Sequence, residues 1–526
     1  MTSASPAAPR PQPFPPQPFP PRPYAGPPLH GPWPSSFPDR WPGPGTGAAP
    51  VAFVAVIAAA AIGAAVLNPA RPGLGWLLTA LAAAAALLVA GRARVRSTMP
   101  PARVTPRDTP TPRRTDRYLW AAVTVLLLGA GTIRAAGWLF ALCVATAALT
   151  ALLAIAGGHS VRALSYVAGI MPAAAVRAVP WLARGARGLR RRGPEGPRLA
   201  LPILVTVILV IVFGALFASA DAAFAELVSA SLPAPDGTVM SRLLVLFPVL
   251  VLLIGAPAFL RTAPPATGDL DEPVRRPVRR TEWLVPLVAL DLLFGAFVLV
   301  QAAVLFGGAG HVLATAGLTY AEYARSGFWQ LLVVTGLTLL VLGVAVLTAP
   351  RASRADRTVV RVLLGVLAGL TLLIVASALS RMWLYADVYG LTRLRVLVFA
   401  CELWLGAVFL MVLAAGVRLR ARWLPRAVLG TAALALLALV AVNPDALIAR
   451  HNLAQDRIDT YYLRRLSADA VPELAKAPAG LRGCLLSDLA ERLADHPDGW
   501  QDLNLARERA RAILDGPPDF TPCTHP

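Results

Sequence analysis

Arginine is concentrated in every second gap between the long apolar stretches of this sequence. Five gaps, starting with Gly91–Arg117, hold 28 arginines, whereas the five gaps that alternate with them hold six. Membrane insertion retains cationic loops in the cytoplasm, so this alternation is typical of a polytopic membrane protein. The apolar stretches are Val51–Leu67, Leu74–Ala90, Tyr118–Ile133, Ala135–Ala156, Ala200–Phe217, Met240–Leu260, Trp283–Phe306, Phe328–Thr348, Val359–Leu379, Val396–Gly416 and Leu424–Val442.

These stretches predict an all-α fold, a polytopic transmembrane helical bundle of about eleven spans over residues 51–442. Most are close to the roughly 20 residues that a helix needs to cross the hydrocarbon core. The arginine-rich gaps are expected in the cytoplasm, which places the N-terminus in the cytoplasm and the C-terminus outside. Only Arg134 separates the third and fourth stretches, which form either a tight helical hairpin or one long broken helix.

Three further segments differ in composition from the spans. Residues 1–50 contain eighteen prolines and a tandem QPFPP repeat, which predicts a disordered cytoplasmic leader. Residues 157–199 mix small apolar residues with eight arginines, which predicts one or two interfacial helices on the cytoplasmic leaflet. The tail, residues 443–526, has ten basic against thirteen acidic residues and helical spacing of its apolar side chains. We expect a small extracytoplasmic helical domain there, with Ser467 or Asp469 as the cap of a helix that starts near Pro472.

The net charge of +20 does not indicate nucleic-acid binding, because most of the arginines lie in short loops beside apolar stretches. Their placement predicts contact with the lipid bilayer and with anionic headgroups at the cytoplasmic face. The six histidines lack metal-ligand spacing and no glycine-rich phosphate loop is present, so neither a metal nor a cofactor is expected. Cys484 and Cys523 are the two cysteines of the tail. An oxidising exterior favours a disulfide between them, and the alternative is two free thiols.

Polar residues within the predicted spans are candidates for an intramembrane function. Asp291 and Gln301 lie in the seventh span and Glu402 lies in the tenth. A charged group at mid-bilayer costs a few kcal/mol and normally faces the bundle interior with a partner. Glu402 is therefore either part of a proton or cation pathway or a structural hydrogen-bonding group. For Asp291 we favour the structural role.

Polar and aromatic residues also cluster in the predicted outer gaps and at the start of the tail. Three arginines between Ser380 and Arg395 lie on the side where insertion disfavours them, which indicates a site for an anionic group. The alternative is an aromatic belt with snorkelling arginines. The candidate ligand-binding residues are Asp221, Tyr320, Glu322, Tyr323, Arg325, Arg381, Tyr385, Arg393 and Asp445.

Several of these runs resemble one family. TYAEYARSGFWQL, RMWLYADVYGLTRLR and the tail segment NPDALIARHNLAQDRIDTYYLRRLSADAVPEL are similar to the family catalogued as domain of unknown function 4173, which is related to domain of unknown function 4153. The resemblance covers residues 118–474, and the leader lies outside it. It implies a multi-pass bacterial membrane protein and no activity that can be transferred residue by residue.

Three functions agree with these observations. The leading hypothesis is a non-enzymatic scaffold or regulator in the bacterial plasma membrane, which binds an anionic envelope component or a protein partner through its outer polar residues. A secondary transporter would use Glu402 as its coupling carboxylate. A membrane enzyme acting on a lipid-linked substrate would use Asp221 or Glu322 as a base, although the first outer gap, Asn68–Gly73, has no carboxylate.

Overall fold

The computed structural model describes residues 41, 46–93, 114–156, 161–190, 237–262, 280–306, 328–348, 353–418, 423–455 and 459–515. The chain divides into two compact units, Met1–Pro42 and Gly43–Pro526. Of the first unit only Trp41 is described, so most of the proline-rich leader lies outside the described residues.

The secondary structure of the described residues is entirely helical. The helices that precede residue 443 are α1 (Pro50–Val66), α2 (Leu74–Arg92), α3 (Arg114–Ile133), α4 (Gly137–Ala156), α5 (Val161–Arg190), α6 (Gly237–Thr262), α7 (Arg280–Phe306), α8 (Phe328–Thr348), α9 (Arg354–Tyr389), α10 (Arg393–Arg418) and α11 (Leu424–Val442). Ten of the eleven apolar stretches coincide with α1–α4 and α6–α11. The fifth stretch, Ala200–Phe217, lies outside the described residues.

Eight helices among the described residues are long and apolar enough to cross a membrane: α2, α4, α5, α6, α7, α9, α10 and α11. Two apolar helices are shorter, Pro50–Val66 and Gln330–Val346. The apolar helices indicate a multi-pass membrane protein. The count of eleven spans stays a prediction.

Helices α3 and α4 form a tight antiparallel hairpin, and not one long broken helix. The hydroxyl groups of Thr124 and Thr150 lie 2.8 Å apart, although they are on opposite sides of the turn at residues 134–136. Behind them, Leu127, Leu139 and Cys143 form a core with α11. A second core joins α7, α8, α9 and α10 around Leu367 and Phe409.

Helix α9 extends beyond the predicted span at both ends. It has 36 residues, a length of about 54 Å, whereas the hydrocarbon core is roughly 30 Å thick. Its first turn is capped by the Ser353 hydroxyl, which accepts the backbone N–H of Asp356 at 2.9 Å. It ends at Gly390, which has a φ of +74°, a conformation that glycine adopts without strain.

The tail forms a set of short helices with their own apolar core. These are α12 (Pro444–Leu453), α13 (Thr460–Arg464), α14 (Val471–Leu474), α15 (Ala479–Ala494) and α16 (Leu505–Leu514), with 3₁₀ turns at Ala468–Ala470 and Trp500–Asp502. We call residues 443–515 the cap. Ile448, Leu463, Val471 and Leu485 are fully buried in its core. The cap belongs to the same compact unit as the bundle, so residue 443 does not separate two units.

The cap contacts the loops at one end of the bundle. Its residues bond to the loop between α1 and α2, to the turn between α3 and α4 and to the loop between α9 and α10. The sequence predicts that these three loops lie on the same side of the membrane as the tail. We call this the cap end of the bundle.

Both ends of α5 lie at the opposite end of the bundle. Near its C-terminal end, the carbonyl of Trp181 accepts the backbone N–H of Ala48, just before α1 begins, and the Trp181 ring packs 5.7 Å from that of Phe259 on α6. Its N-terminal end follows the last residue of α4 after four residues. This placement favours a helix that lies across the face of the bundle, as expected for an interfacial helix, even though Pro172 and Pro180 are both within it.

Cysteine accessibility tests the position of α5. We expect single cysteines at Ser165 and Arg187, both exposed and near opposite ends of α5, to react with a membrane-impermeant maleimide from the same side of sealed vesicles. In a background without the native cysteines, a cysteine at the exposed Glu491 of the cap is the control for the other side. Labelling of positions 165 and 187 from opposite sides would show that α5 crosses the membrane.

Candidate functional site

Asp445 connects the cap to the bundle through an ion pair with Arg393, in which the carboxylate is fully buried. Asp445 is 0% exposed. Arg393, at the start of α10, donates to its two carboxyl oxygens at 3.1 and 2.6 Å. The indole N–H of Trp138 on α4 and the backbone N–H of Ser467 donate to the same carboxylate at 3.2 and 2.9 Å. Four hydrogen bonds, two of them from one bidentate arginine, are strong compensation for a buried charge.

The charge of Arg393 also determines the protonation of Asp445. Burial raises the pKa of Asp445, but the hydrogen bond and the charge of Arg393, together with the bonds from Ser467, lower it more, so its pKa lies below the ordinary carboxyl value. Asp445 is therefore ionised at neutral pH. The backbone N–H of Arg393 donates to the hydroxyl of Tyr462 at 2.7 Å, and burial is the main reason why the pKa of Tyr462 is raised.

Asp469 makes the second connection, to the turn between α3 and α4. Its carboxylate accepts the backbone N–H groups of Ala135 and Ala136 at 2.8 and 2.9 Å, and Arg134 lies 3.7 Å away. Burial raises the pKa of Asp469 more than Ala135, Ser467 and Arg134 lower it. Arg134 also donates to the last carbonyls of α11, those of residues 440 and 441. The prediction that Ser467 or Asp469 caps the helix near Pro472 is wrong, because α14 has no side-chain cap and Asp469 is used for this turn.

The third connection joins the end of the cap to the loop between α1 and α2. Arg71 lies 3.5 Å from Asp498, which also accepts from Arg507 at 2.6 Å. The buried Asn504 caps α16 with its side-chain oxygen, and its side-chain N–H groups donate to the carbonyls of Gly131 and Arg134 at 2.7 and 2.9 Å.

Asn452 makes the fourth connection, to the loop between α9 and α10. Its side-chain oxygen accepts the backbone N–H of Leu391 at 2.7 Å and its side-chain N–H donates to the Leu391 carbonyl at 2.9 Å. A side chain at Gly390 would place its Cβ 2.9 Å from this oxygen. The close approach and the positive φ both require glycine at position 390.

Arginine and tyrosine side chains form a patch where α9 and α10 meet the cap. The Arg395 guanidinium lies 4.3 Å above the Tyr385 ring, and the Tyr385 and Tyr389 rings are 4.9 Å apart. On the cap, Arg465 lies 5.4 Å from the Tyr461 ring. We call these five residues the arginine–tyrosine patch.

The predicted ligand-binding residues do not all meet at one site. Arg393 and Asp445 are partners of each other, and Tyr385 lies under Arg395. Arg381 donates to the side chain of Gln301 at 2.5 Å, which links α9 to α7. The others lie outside the described residues: Asp221, Tyr320, Glu322, Tyr323 and Arg325. Cys484 takes part in a disulfide. Its predicted partner, Cys523, also lies outside the described residues, so the pairing stays a prediction.

The two intramembrane carboxyl groups are buried without partners. Glu402 is 1% exposed. In the part of the chain that the structure describes, neither oxygen of Glu402 or of Asp291 has a hydrogen-bond partner. The structural hydrogen bond expected for Asp291 is therefore not present among the described residues.

The comparison with family models identifies the chain. The model described as "Domain of unknown function (DUF4153)" matches residues 121–477, more than half of the chain. The chain belongs to the DUF4153 family. No curated protein matches the chain, and no solved structure matches it.

The DUF4153 segment includes three of the four connections in full. It contains the Arg393–Asp445, Arg134–Asp469 and Leu391–Asn452 contacts and ends before Asp498 and Asn504. The connection to the loop between α1 and α2 therefore lies outside the matched segment. The finer assignment to domain of unknown function 4173 stays a prediction.

Sequence reasoning did not find the roles of Asn452, Asp498 and Asn504. The local signal for Asn504 is weak but real, since an asparagine directly before an amphipathic helix is a common N-cap. No local signal reveals that Asn504 also binds the turn between α3 and α4, because that turn lies about 370 residues earlier in the chain.

Removal of Arg393 should strongly destabilise the protein. We expect Arg393→Gln to lower the free energy of unfolding by about 3 kcal/mol, because Asp445 then becomes a buried charge without its main partner. Unfolding in mixed detergent micelles measures the change. Lys476→Gln is the control, since it breaks the exposed Lys476–Glu473 pair, which should cost less than about 1 kcal/mol.

The double variant Arg393→Gln/Asp445→Asn separates charge from packing. It should recover part of the stability lost in Arg393→Gln, because no buried charge remains. Equal losses for Arg393→Gln and Lys476→Gln would contradict a structural role for the Arg393–Asp445 pair.

Proposed function

We propose that the protein is a non-enzymatic membrane scaffold or regulator of the bacterial plasma membrane. Its cap lies outside the cytoplasm and binds an anionic envelope component. The observation that carries this proposal is the arginine–tyrosine patch, in which Arg395 and Arg465 each lie over a tyrosine ring. The similarity of the motifs to domain of unknown function 4173 is part of the same proposal and supplies no activity of its own.

The patch replaces Arg393 as the candidate anion-binding group. Arg393 is paired with the buried Asp445, so its charge is already compensated. Arg395 uses one nitrogen for the carbonyls at the end of α9, and Arg465 uses one for the Tyr461 hydroxyl at 2.9 Å. A guanidinium has five N–H donors, so both arginines keep donors for a phosphate or carboxylate. Arg393 donates to the Arg465 carbonyl at 3.2 Å, which links the start of α10 to the cap next to Arg465.

The four connections of the cap support a scaffold. Buried polar groups that are paired favour a single arrangement, because a movement that breaks the pair leaves them unsatisfied. The cap therefore presents the patch on a fixed support. No observation on the described residues favours an enzyme acting on a lipid-linked substrate, since Asp221 and Glu322 lie outside them.

Binding of a polyanion tests the scaffold proposal. We expect the purified full chain to bind fluorescent dextran sulfate and not neutral dextran, with an affinity that falls as salt is added. Arg395→Gln/Arg465→Gln should weaken binding about tenfold or more, because two charge-assisted hydrogen-bonding groups are lost.

Arg450→Gln/Arg509→Gln is the matched control, because both arginines are exposed on the cap and the net charge changes equally. Both variants should unfold at the wild-type temperature. If the two double variants weaken binding to the same extent, the attraction depends only on net charge and the patch is not the site.

Glu402 supports a second candidate function, secondary transport. A buried ionisable side chain without a partner in a membrane helix is a candidate for a proton or cation pathway. Glu402 has this environment on α10. Asp291 on α7 provides a comparison, because its oxygens are also buried without hydrogen bonds.

Proton flux into proteoliposomes tests this second candidate. With a potassium diffusion potential and an entrapped pH dye, we expect wild-type protein and Asp291→Asn to admit protons, whereas Glu402→Gln should not. Gln retains the shape of the side chain and cannot carry the proton. Flux that persists in Glu402→Gln, or its absence from the wild type, would remove Glu402 from a pathway.

A further inference from the structure

A large apolar cavity lies between the helices of the bundle. Its volume is about 1010 Å³, and it is bounded by α8, α9, α10 and α11, with α4 on one side. This volume is at the upper end of the roughly 300–1,000 Å³ that is usual for small-molecule sites. Leucine, valine, alanine and glycine provide most of the wall, and Arg361 is the one charged residue among its described lining residues.

The cavity follows the direction in which the helices cross the membrane. On α11 its lining residues extend from Leu424, at the start of the helix, to Leu439, near its end. At 1.5 Å per residue this is about 22 Å, most of the thickness of the roughly 30 Å hydrocarbon core. Trp404 of the wall donates its indole N–H to Thr431 at 3.2 Å, so its polar group is satisfied within the protein. A long apolar molecule therefore fits this space better than water does.

The charged residue lies at one end of the cavity. Arg361 is two turns into α9, whose other end contacts the cap, so Arg361 is at the end of the bundle opposite the cap. Arg361 is exposed, and no hydrogen bond or ion pair to it occurs in the described chain. Arg357 is also exposed and lies one turn earlier on the same face of α9. Leu164, near the start of α5, closes the wall at this end.

We propose that this cavity holds an anionic glycerophospholipid from the leaflet opposite the cap. Its acyl chains occupy the apolar space along α10 and α11, and its phosphate lies at Arg361, with Arg357 beside it. An apolar cavity about 22 Å long that ends at a cation with no hydrogen bond or ion pair to the described residues matches both parts of such a lipid. A zwitterionic lipid such as phosphatidylcholine would place its choline cation close to Arg361 and Arg357, and a soluble phosphate would leave the cavity empty.

Glycine residues in the wall allow the cavity to be filled without a clash. A Cβ added at Gly343 of α8 meets nothing within 4 Å, and Gly343 lines the cavity. Gly336, two turns earlier on α8, also has nothing within 4 Å and does not line the cavity. Gly343→Leu and Gly336→Leu are therefore a matched pair of variants, in which the same side chain is added inside and outside the cavity.

The experiment is lipid binding measured by native mass spectrometry on delipidated full-length protein in mild detergent. Phosphatidylglycerol and phosphatidylcholine with the same acyl chains are the probes. We expect wild-type protein to prefer phosphatidylglycerol, and Arg361→Gln to reduce this preference about tenfold. Arg509→Gln, exposed on the cap and outside the cavity lining, should leave the preference unchanged. Gly343→Leu should lose bound lipid of both kinds, whereas Gly336→Leu should retain it.

Three results would overturn the proposal. The first is equal binding of the two lipids by the wild-type protein. The second is an unchanged preference in Arg361→Gln. The third is the same lipid retention in Gly343→Leu and Gly336→Leu. Glycerol phosphate added in excess should not displace the lipid, and displacement would instead show a site for the free headgroup.

Discussion

A carboxylate with no exposed surface needs compensation from within the protein, and Asp445 receives it from three separate parts of the chain. Arg393 comes from the start of α10, Trp138 from α4 and Ser467 from the cap. The position of the cap on the bundle depends on these hydrogen bonds to Asp445. Because the penalty for an uncompensated buried charge is several kcal/mol, the bundle loops and the cap hold one another in place.

The same requirement explains arginines that membrane insertion disfavours. Arg71, Arg134 and Arg393 lie in gaps on the cap side, and each is close to one cap carboxylate, from Asp498, Asp469 and Asp445 respectively. The acidic balance of the tail is thus matched to the few cations of the loops beneath it. Among the described residues, these three exceptions to the arginine alternation make structural contacts. The patch around Arg395 and Arg465 is therefore the site that we propose for a ligand.

The apolar stretches predicted ten of the helices because helix formation in a membrane follows from local chemistry, whereas the side of the membrane on which each loop lies stays a prediction. A run of about 20 apolar residues and a cluster of cations can be recognised without the fold. The partners within the cap were not predicted. Arg393 and Asp445 were both selected, but as ligand-binding residues, since nothing in a sequence shows that residues 52 positions apart are in contact. The contact of Asp469 with the turn between α3 and α4 was not predicted for the same reason, because its partners are more than 330 residues earlier in the chain.

The order of the chain has a consequence for how the protein is made. Each of the four connections joins the bundle to the cap, which is synthesised after the described bundle helices, and the separations reach 435 residues. The helices can insert one after another, but the contacts over such long separations form only when the last segment is available. Until the cap is synthesised, Arg71, Arg134 and Arg393 lack their carboxylate partners. Synthesis of the cap is therefore the step that makes the contacts at these loops possible.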